Sequence, residues 1–437
     1  MKRRSLYALA AAGLLAGGLT ATSANAADLG GNCCADLEER IAELEATTAR
    51  KGNRKVSLTI SGWVAEQVLF WDDGVERNAY VTGIGATLSS HFKLTGQATI
   101  TPGWTAGYVM HVETTTADPF FVNQNADDAS PFGSVSLLQS YWFVNSERLG
   151  KVSVGQLSHA SDNTAILVDG SGSLVPANWL IIEGTSFLLR SNGALTGFAW
   201  ADVHFCGHVS AGIAADCNGL PLNSVRYDTP TFAGFSASAT WGEDDFWDVA
   251  ARYSGEHAGI KIAIAAAYSH QGDEGIFAQR NIGIGALHRD SDYFQIGAFA
   301  MHVPTGLFFY GAYGHENNNN TTLNTSLGFL EQGDTDHFYL KGGLRRKFTP
   351  LGHTVLYGEY GNYDDMLSPA LLAANAATFS ASSEARIWGL GVVQEVDAAA
   401  MSLWLTYRNS DGEFTIDGAK TDLDDFHVIK AGALINF

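Results

Sequence analysis

Five basic residues sit where a period-two pattern decides which way they point. Lys93 lies between Phe92 and Leu94, Arg226 between Val225 and Tyr227, Arg252 between Ala251 and Tyr253, Lys261 between Ile260 and Ile262, and Arg345 beside Leu344. In an extended chain alternate side chains face opposite ways, so each cation points away from its apolar neighbours. If the apolar face meets lipid, a cation placed there costs roughly 2 to 4 kcal/mol at mid-bilayer, and the five belong on a wet interior face. Arg346 and Lys347 lie near the end of their run, where either face suits a charge. A long polar insertion, Ser158–Pro221, carries Asp162, Asp169 and Glu183. Folded inward, these carboxylates would face the cationic wall and set up a transverse field across a narrow water column. Such a field orients polar solutes and disfavours apolar ones. Left outside, they are ordinary solvated loop charges. Either way the chemistry is electrostatic selection and makes no bonds.

Bond-making chemistry finds little support. The 13 histidines are scattered, and no nucleophile elbow or metal-binding signature accompanies them, so no catalytic residue is assigned and no enzyme is expected. Cys206 and Cys217 read as a disulfide closing a short loop in an oxidising compartment. His204 and His208 flank Cys206 and open a metal reading. No carboxylate or further cysteine completes a recognised spacing, however, and Cys217 is the simpler partner. No metal site and no cofactor are assigned. Acidic pairs at Asp127-Asp128, Asp364-Asp365 and Asp422 with Asp424 fall in outer connections, where divalent cations would bridge them to lipopolysaccharide.

The elements that must position these residues begin with an export signal. Lys2, Arg3 and Arg4 precede an apolar stretch from Leu6 to Leu19 and then Ala24-Asn25-Ala26, so residues 1–26 read as a cleaved signal peptide. The apolar run is too short to span a bilayer. A formal charge of -20 without a Lys/Arg cluster excludes nucleic acid as partner. No later segment approaches the ~20 continuous apolar residues of a membrane helix. Residues 27–55 hold a short helical pattern, Asp36 to Arg50, with Leu37, Ile41 and Leu44 in one stripe. Alone it is too short to be stable, so it either forms a three-stranded periplasmic coiled coil or packs near the base of the following domain.

From Val56 the period becomes two. Sixteen such runs follow, from Val56–Trp71 through Lys151–Leu157, Leu222–Asp228, Phe246–Ser254 and Ala399–Asn409 to Asp425–Phe437. Their connections alternate in kind. Tight ones such as Pro102-Gly103, Gly255-Glu256-His257-Ala258, Pro304-Thr305 and Asp397-Ala398 interleave with long polar ones such as Ser158–Pro221, Asn362–Ser383 and Ser410–Asp424, only Gly242–Asp245 being short among the latter. A soluble sandwich or a solenoid has no reason for that parity. Residues 56–437 are therefore expected to form an all-β, 16-stranded antiparallel transmembrane β-barrel with both ends in the periplasm. Aromatics near strand ends, among them Phe70-Trp71, Phe246-Trp247 and Tyr357 with Tyr360, suit girdles at the headgroup level. Phe437, with Ile435, Ala433, Ala431 and Ile429 alternating behind it, matches the C-terminal signal read by the barrel assembly machinery.

Several stretches resemble a known family. Cys33-Cys34-Ala35-Asp36-Leu37-Glu38-Glu39-Arg40, Arg54-Lys55-Val56-Ser57-Leu58-Thr59-Ile60-Ser61-Gly62, Val225-Arg226-Tyr227-Asp228-Thr229-Pro230-Thr231-Phe232-Ala233-Gly234-Phe235 and the ending at Phe437 are similar to the alphaproteobacterial, Rhizobiales-type general porins. The likeness covers essentially the whole mature chain. It implies homotrimers in outer-membrane lipid and lipopolysaccharide, passive diffusion of small hydrophilic solutes and ions through a water-filled channel, and an inward-folded third loop at 158–221. Some relatives are joined to peptidoglycan through a mature Ala-Asp terminus, which Ala27-Asp28 would supply. Two other roles for a barrel stay open at this stage: a sugar-selective channel using Trp179, Phe187 and Trp200 as an aromatic slide, and a non-conducting envelope tether.

Overall fold

The computed structural model describes residues 55–437 except 86, 129–134, 180–183, 185, 205–220, 243–244, 273–289, 320–333 and 368–380. The proposed signal peptide, the helical segment with Cys33 and Cys34, and Ala27-Asp28 lie outside the described residues. In chain order the strands are β1 (Thr59–Asp72), β2 (Arg77–Thr82), β3 (His91–Thr101), β4 (Trp104–Thr114), β5 (Val135–Ser146), β6 (Gly150–Leu157), β7 (Leu188–Ser191), β8 (Ala194–Ala199), β9 (Leu222–Asp228) and β10 (Phe235–Gly242). They continue with β11 (Trp247–His257), β12 (Ile260–Gln271), β13 (Ser291–His302), β14 (Leu307–Asn318), β15 (Thr335–Thr349), β16 (Gly352–Asp364), β17 (Ala381–Val396), β18 (Met401–Ile416), β19 (Ala419–Asp422) and β20 (Phe426–Asn436).

Short β2 and β19 are hairpin arms on β1 and β18, and β7 pairs only with β8. The other sixteen strands run antiparallel to their neighbours and close on themselves, because β1 pairs with β3 on one side and β20 on the other. Trp63 stands opposite both His91 and Asn436. Closure matters in lipid, where an open sheet edge would leave backbone donors and acceptors with no water to bond. Phe437 completes the seam, exchanging backbone hydrogen bonds with Gly62 at 3.0 Å in each direction.

Alternation sorts the two faces as the sequence pattern requires. Along β13, Tyr293, Gln295, Phe299 and Met301 are buried while Phe294, Ile296, Ala298 and Ala300 are exposed outward. Leu340, Leu390 and Leu405 extend the same outer apolar band. Aromatic pairs ring its outer edge, with Trp247 against Tyr268 and Trp388 against Tyr407 at centroid distances of 5.7 and 5.3 Å.

Several connections differ from the expected ones; the polar stretch Asp72–Gly85 holds β2 folded back on β1. The turn expected at Gly255–Ala258 is instead the pair Ala258-Gly259, with φ of 49° and 78°, and pairing continues to His257 opposite Ile260. Both residues are left-handed, the requirement of a two-residue type I′ hairpin, and Gly259 supplies it cheaply. The acidic stretch expected as the loop Ser410–Asp424 is largely a hairpin, β18 and β19 joined at Asp417-Gly418 with φ of 51° and 79°. Its strands stand in water, so no lipid-facing alternation advertises them.

Candidate functional site

All five basic residues named from the sequence lie on the lumen-facing parity of their strands: Lys93 on β3, Arg226 on β9, Arg252 on β11, Lys261 on β12 and Arg345 on β15. Four more share that parity and were missed: Lys151 on β6, Lys341 on β15, Arg408 on β18 and Lys430 on β20. The same rule would have found them, since Lys430 lies between Ile429 and Ala431 and Lys341 follows Leu340.

The described part of the third loop, after β6, lies inside the cylinder and is gripped by these cations. Arg226 donates to the carbonyls of Ser158 and His159 at 2.8 and 3.1 Å while pairing with Asp228. Arg252 donates to the Ala160 carbonyl at 2.5 Å and to Thr164 at 3.0 Å. Further along, Arg408 donates to the Ala177 carbonyl and Lys430 to the Pro176 carbonyl, each at 3.0 Å. Neutral side chains add to the grip: Gln295 accepts from the Ala165 N–H at 2.8 Å and donates to the Ser161 carbonyl at 3.0 Å. Tyr310 donates to the Ala165 carbonyl at 3.0 Å. Gly297 lets the loop backbone touch the wall, for a Cβ there would meet the Ala165 oxygen at 2.1 Å.

Of the loop acids, Asp169 is buried in an ion pair with Lys341. Asp162 is also buried; it accepts from Ser158 and from Asn163. Burial drives the Asp162 carboxyl above its usual range, with His159, Ser158 and Arg226 pulling the other way. Glu183, Cys206 and Cys217 lie outside the described residues, as does His208. His204 stacks on Trp200 at 5.3 Å and meets Tyr363 edge-on at 5.0 Å.

The loop also contains structure that its composition hid. The β7–β8 hairpin turns at Asn192-Gly193, with φ of 51° and 78°, the strongest local signal for a type I′ turn. Asp424 accepts from both turn N–H groups at 3.0 and 2.7 Å, and Arg190 pairs with Asp73 at 2.7 Å and Glu76 at 2.9 Å. Beneath the hairpin an aromatic layer joins loop to wall, with Phe187 4.9 Å from Trp71 and 5.0 Å from Phe426. Phe187 and Trp200 are therefore buried in packing and are not offered to a passing solute. The side chain of Trp179 lies outside the described ones.

Ser161, His159 and Asp248 meet in one buried cluster, yet their geometry is that of a staple. Asp248 Oδ2 lies 2.6 Å from His159 Nδ1, and the Ser161 hydroxyl donates to that same oxygen at 2.7 Å. A nucleophilic serine needs the imidazole nitrogen that the aspartate does not hold; here the Ser161 hydroxyl lies 3.2 Å from Nδ1 of His159, the same nitrogen that Asp248 holds. Apart from this contact zone, His91, His111 and Glu113 group on β3 and β4 as the described residues with metal-ligand composition.

The chain is similar in structure to the anion-selective porin from Comamonas acidovorans, at 15% identity over 87% of this chain and 100% of that one, with a TM-score of 0.53. It is also similar to OmpT of Vibrio cholerae in its trimer form, 11% identical over 87% and 99% with a TM-score of 0.47. OmpF of Salmonella typhi in complex with daunomycin follows at 12%, 88%, 99% and 0.48. Comparison with curated proteins yields no match. The first of these likenesses supports the fold. The sequence profile of Gram-negative porins matches residues 8–415, nearly the whole length. With a closed sixteen-stranded barrel, a polar lumen and a lipid-facing apolar band already in place, the chain belongs to the Gram-negative porin family and is an outer-membrane channel.

Proposed function

We propose that the chain is a homotrimeric general diffusion pore whose third loop, held against a basic wall, sets the narrowest passage for small hydrophilic solutes and ions. The observation that carries this reading is the grip itself: cations from four separate strands donate to carbonyl oxygens of residues 158–177. Arg226 is also paired with Asp228 and Arg408 with Glu359, so the grip sets charges of both signs on the wall beside the loop carboxylates. The reading includes no catalytic activity. The resemblance to Rhizobiales-type porins supports the trimer and the subgroup. Removal of residues 1–26 rests on the basic start, the apolar run and Ala24-Asn25-Ala26, a disulfide between Cys206 and Cys217 on their short spacing in an oxidising compartment, and recognition of Phe437 by the assembly machinery on the alternation behind it.

Planar-bilayer recording and liposome swelling test it. Conductance should scale with salt, and swelling should slow smoothly as the sugar grows. Saturable block by one sugar would favour a selective channel instead, and complete absence of conductance in purified protein would leave a tether. Attachment of Ala27 to peptidoglycan is tested separately by muramidase digestion and mass spectrometry, a free Ala27 amine counting against it.

A further inference from the structure

His91 on β3 and His111 and Glu113 on β4 point into the lumen from paired strands, His91 standing opposite Glu113 and Lys93 opposite His111. One ligating atom from each lies within 4.8 Å of the other two, and all three residues are buried. Neither ring nitrogen of His111 has a hydrogen-bond partner, and Oε1 of Glu113 has none. The remaining atoms are already oriented. His91 Nδ1 lies 3.0 Å from the Ser89 carbonyl. A carbonyl only accepts, so that nitrogen carries the proton of the neutral ring and Nε2 keeps its lone pair. Glu113 Oε2 accepts from the Thr87 N–H at 3.1 Å. A histidine tied through its second nitrogen to a backbone carbonyl, and a carboxylate steadied by a hydrogen bond, are the arrangement found around bound metals.

We propose that His91, His111 and Glu113 form a divalent transition-metal site of the zinc class in the channel wall, with water as fourth ligand. Two imidazoles and one carboxylate suit zinc and exclude calcium and magnesium, which take oxygen donors. Bonds of about 2.0 to 2.2 Å would set the ligand atoms roughly 3.4 Å apart, a contraction within the reach of side-chain rotation. The rings already touch, His91 lying 4.1 Å from His111 in a tilted contact and 4.1 Å from Trp63 edge-on. The Lys93 ammonium beside His111 opposes a second cation, so affinity is modest, and an occupied site adds fixed positive charge to the wall.

Metal-stripped full-length protein in detergent is titrated with Co²⁺ as a spectroscopic probe and with Zn²⁺ as competitor. The wild type should show visible d–d absorption of a low-coordinate site, reversed by Zn²⁺. H111Q and E113Q should each weaken binding at least tenfold, and K93Q should tighten it several-fold. Absorption unchanged in H111Q and E113Q would assign the metal elsewhere in the chain, and no absorption in the wild type would overturn the site. Should the ligand variants fail to fold, zinc-edge anomalous diffraction from soaked wild-type crystals decides. A peak joining the three side chains supports the proposal, and its absence there overturns it.

Discussion

Asp169 on the inward loop and Lys341 on β15 form an ion pair sealed from water, both side chains at 0% exposure. Asn178 accepts a second bond from the ammonium at 2.8 Å, and the rings of Tyr310 and Tyr357 lie 5.6 and 5.5 Å from it. Desolvating two charges is costly, and a lone one stranded in such a site is costlier still. K341M and D169N should therefore each weaken loop seating by roughly 3 to 5 kcal/mol. A D169L/K341M double variant should recover much of that. Hydrogen exchange of residues 159–179 measures the effect; losses that simply add in the double variant would remove the pair as an anchor.

Arg226 and Arg252 combine two roles, since each carries charge at the passage and ties down the start of the loop. Neutralising both, as R226Q/R252Q, should shift the reversal potential in a salt gradient towards cations and raise single-channel conductance as the loop loosens. An unchanged reversal potential would take both residues out of the constriction.

Much of the barrel was legible because lipid imposes a rule on every strand. Lys93, Arg226 and Arg252 could be pointed inward from their apolar neighbours alone, and Leu222–Asp228 was placed to the residue. Legibility ended where lipid no longer acts. The β18–β19 hairpin and the β7–β8 hairpin stand in water or pack inside the lumen, and only Asp417-Gly418 and Asn192-Gly193 betray them. Pairing across the lumen was equally hidden: nothing near Asp169 in sequence points to Lys341, which is 172 residues away. His111-x-Glu113 did carry a signal, two ligands at strand period on one face, but its partner His91 lies on another strand.

Gly297 has a consequence for conduction. A Cβ there would stand 2.1 Å from the Ala165 oxygen, a backbone atom with little freedom to yield while Gln295 and Tyr310 hold that residue. G297V should lift the loop from the wall, at a cost of about 1 to 3 kcal/mol typical of overpacking, without disturbing the ladder between β13 and its neighbours. Heat-resistant barrels with noisy, heterogeneous single-channel currents are expected. Currents indistinguishable from wild type would show that the loop adapts.

Asp202 and His204, in the short helix Ala201–His204, bias the loop in opposite directions with pH. Burial pushes the Asp202 carboxyl up to about 6, although it accepts the Ala199 N–H at 2.7 Å. Burial, with the charge of Arg408, lowers His204 to about 3. A raised acid favours the seated loop below its free value near 3.8 and loses that advantage as pH rises through about 6. A depressed base does the reverse: seating is secure above its free value of 6.5 and weakens as pH falls towards 3. Between pH 4 and 6 the two slopes largely cancel, so wild-type protection of residues 187–204, corrected for intrinsic exchange, should vary little. D202N removes one slope and should make protection rise with pH by up to about 1.4 kcal/mol per unit, whereas H204Q should make it fall. Parallel profiles for wild type and D202N would mean that the carboxyl stays ionised in the seated loop.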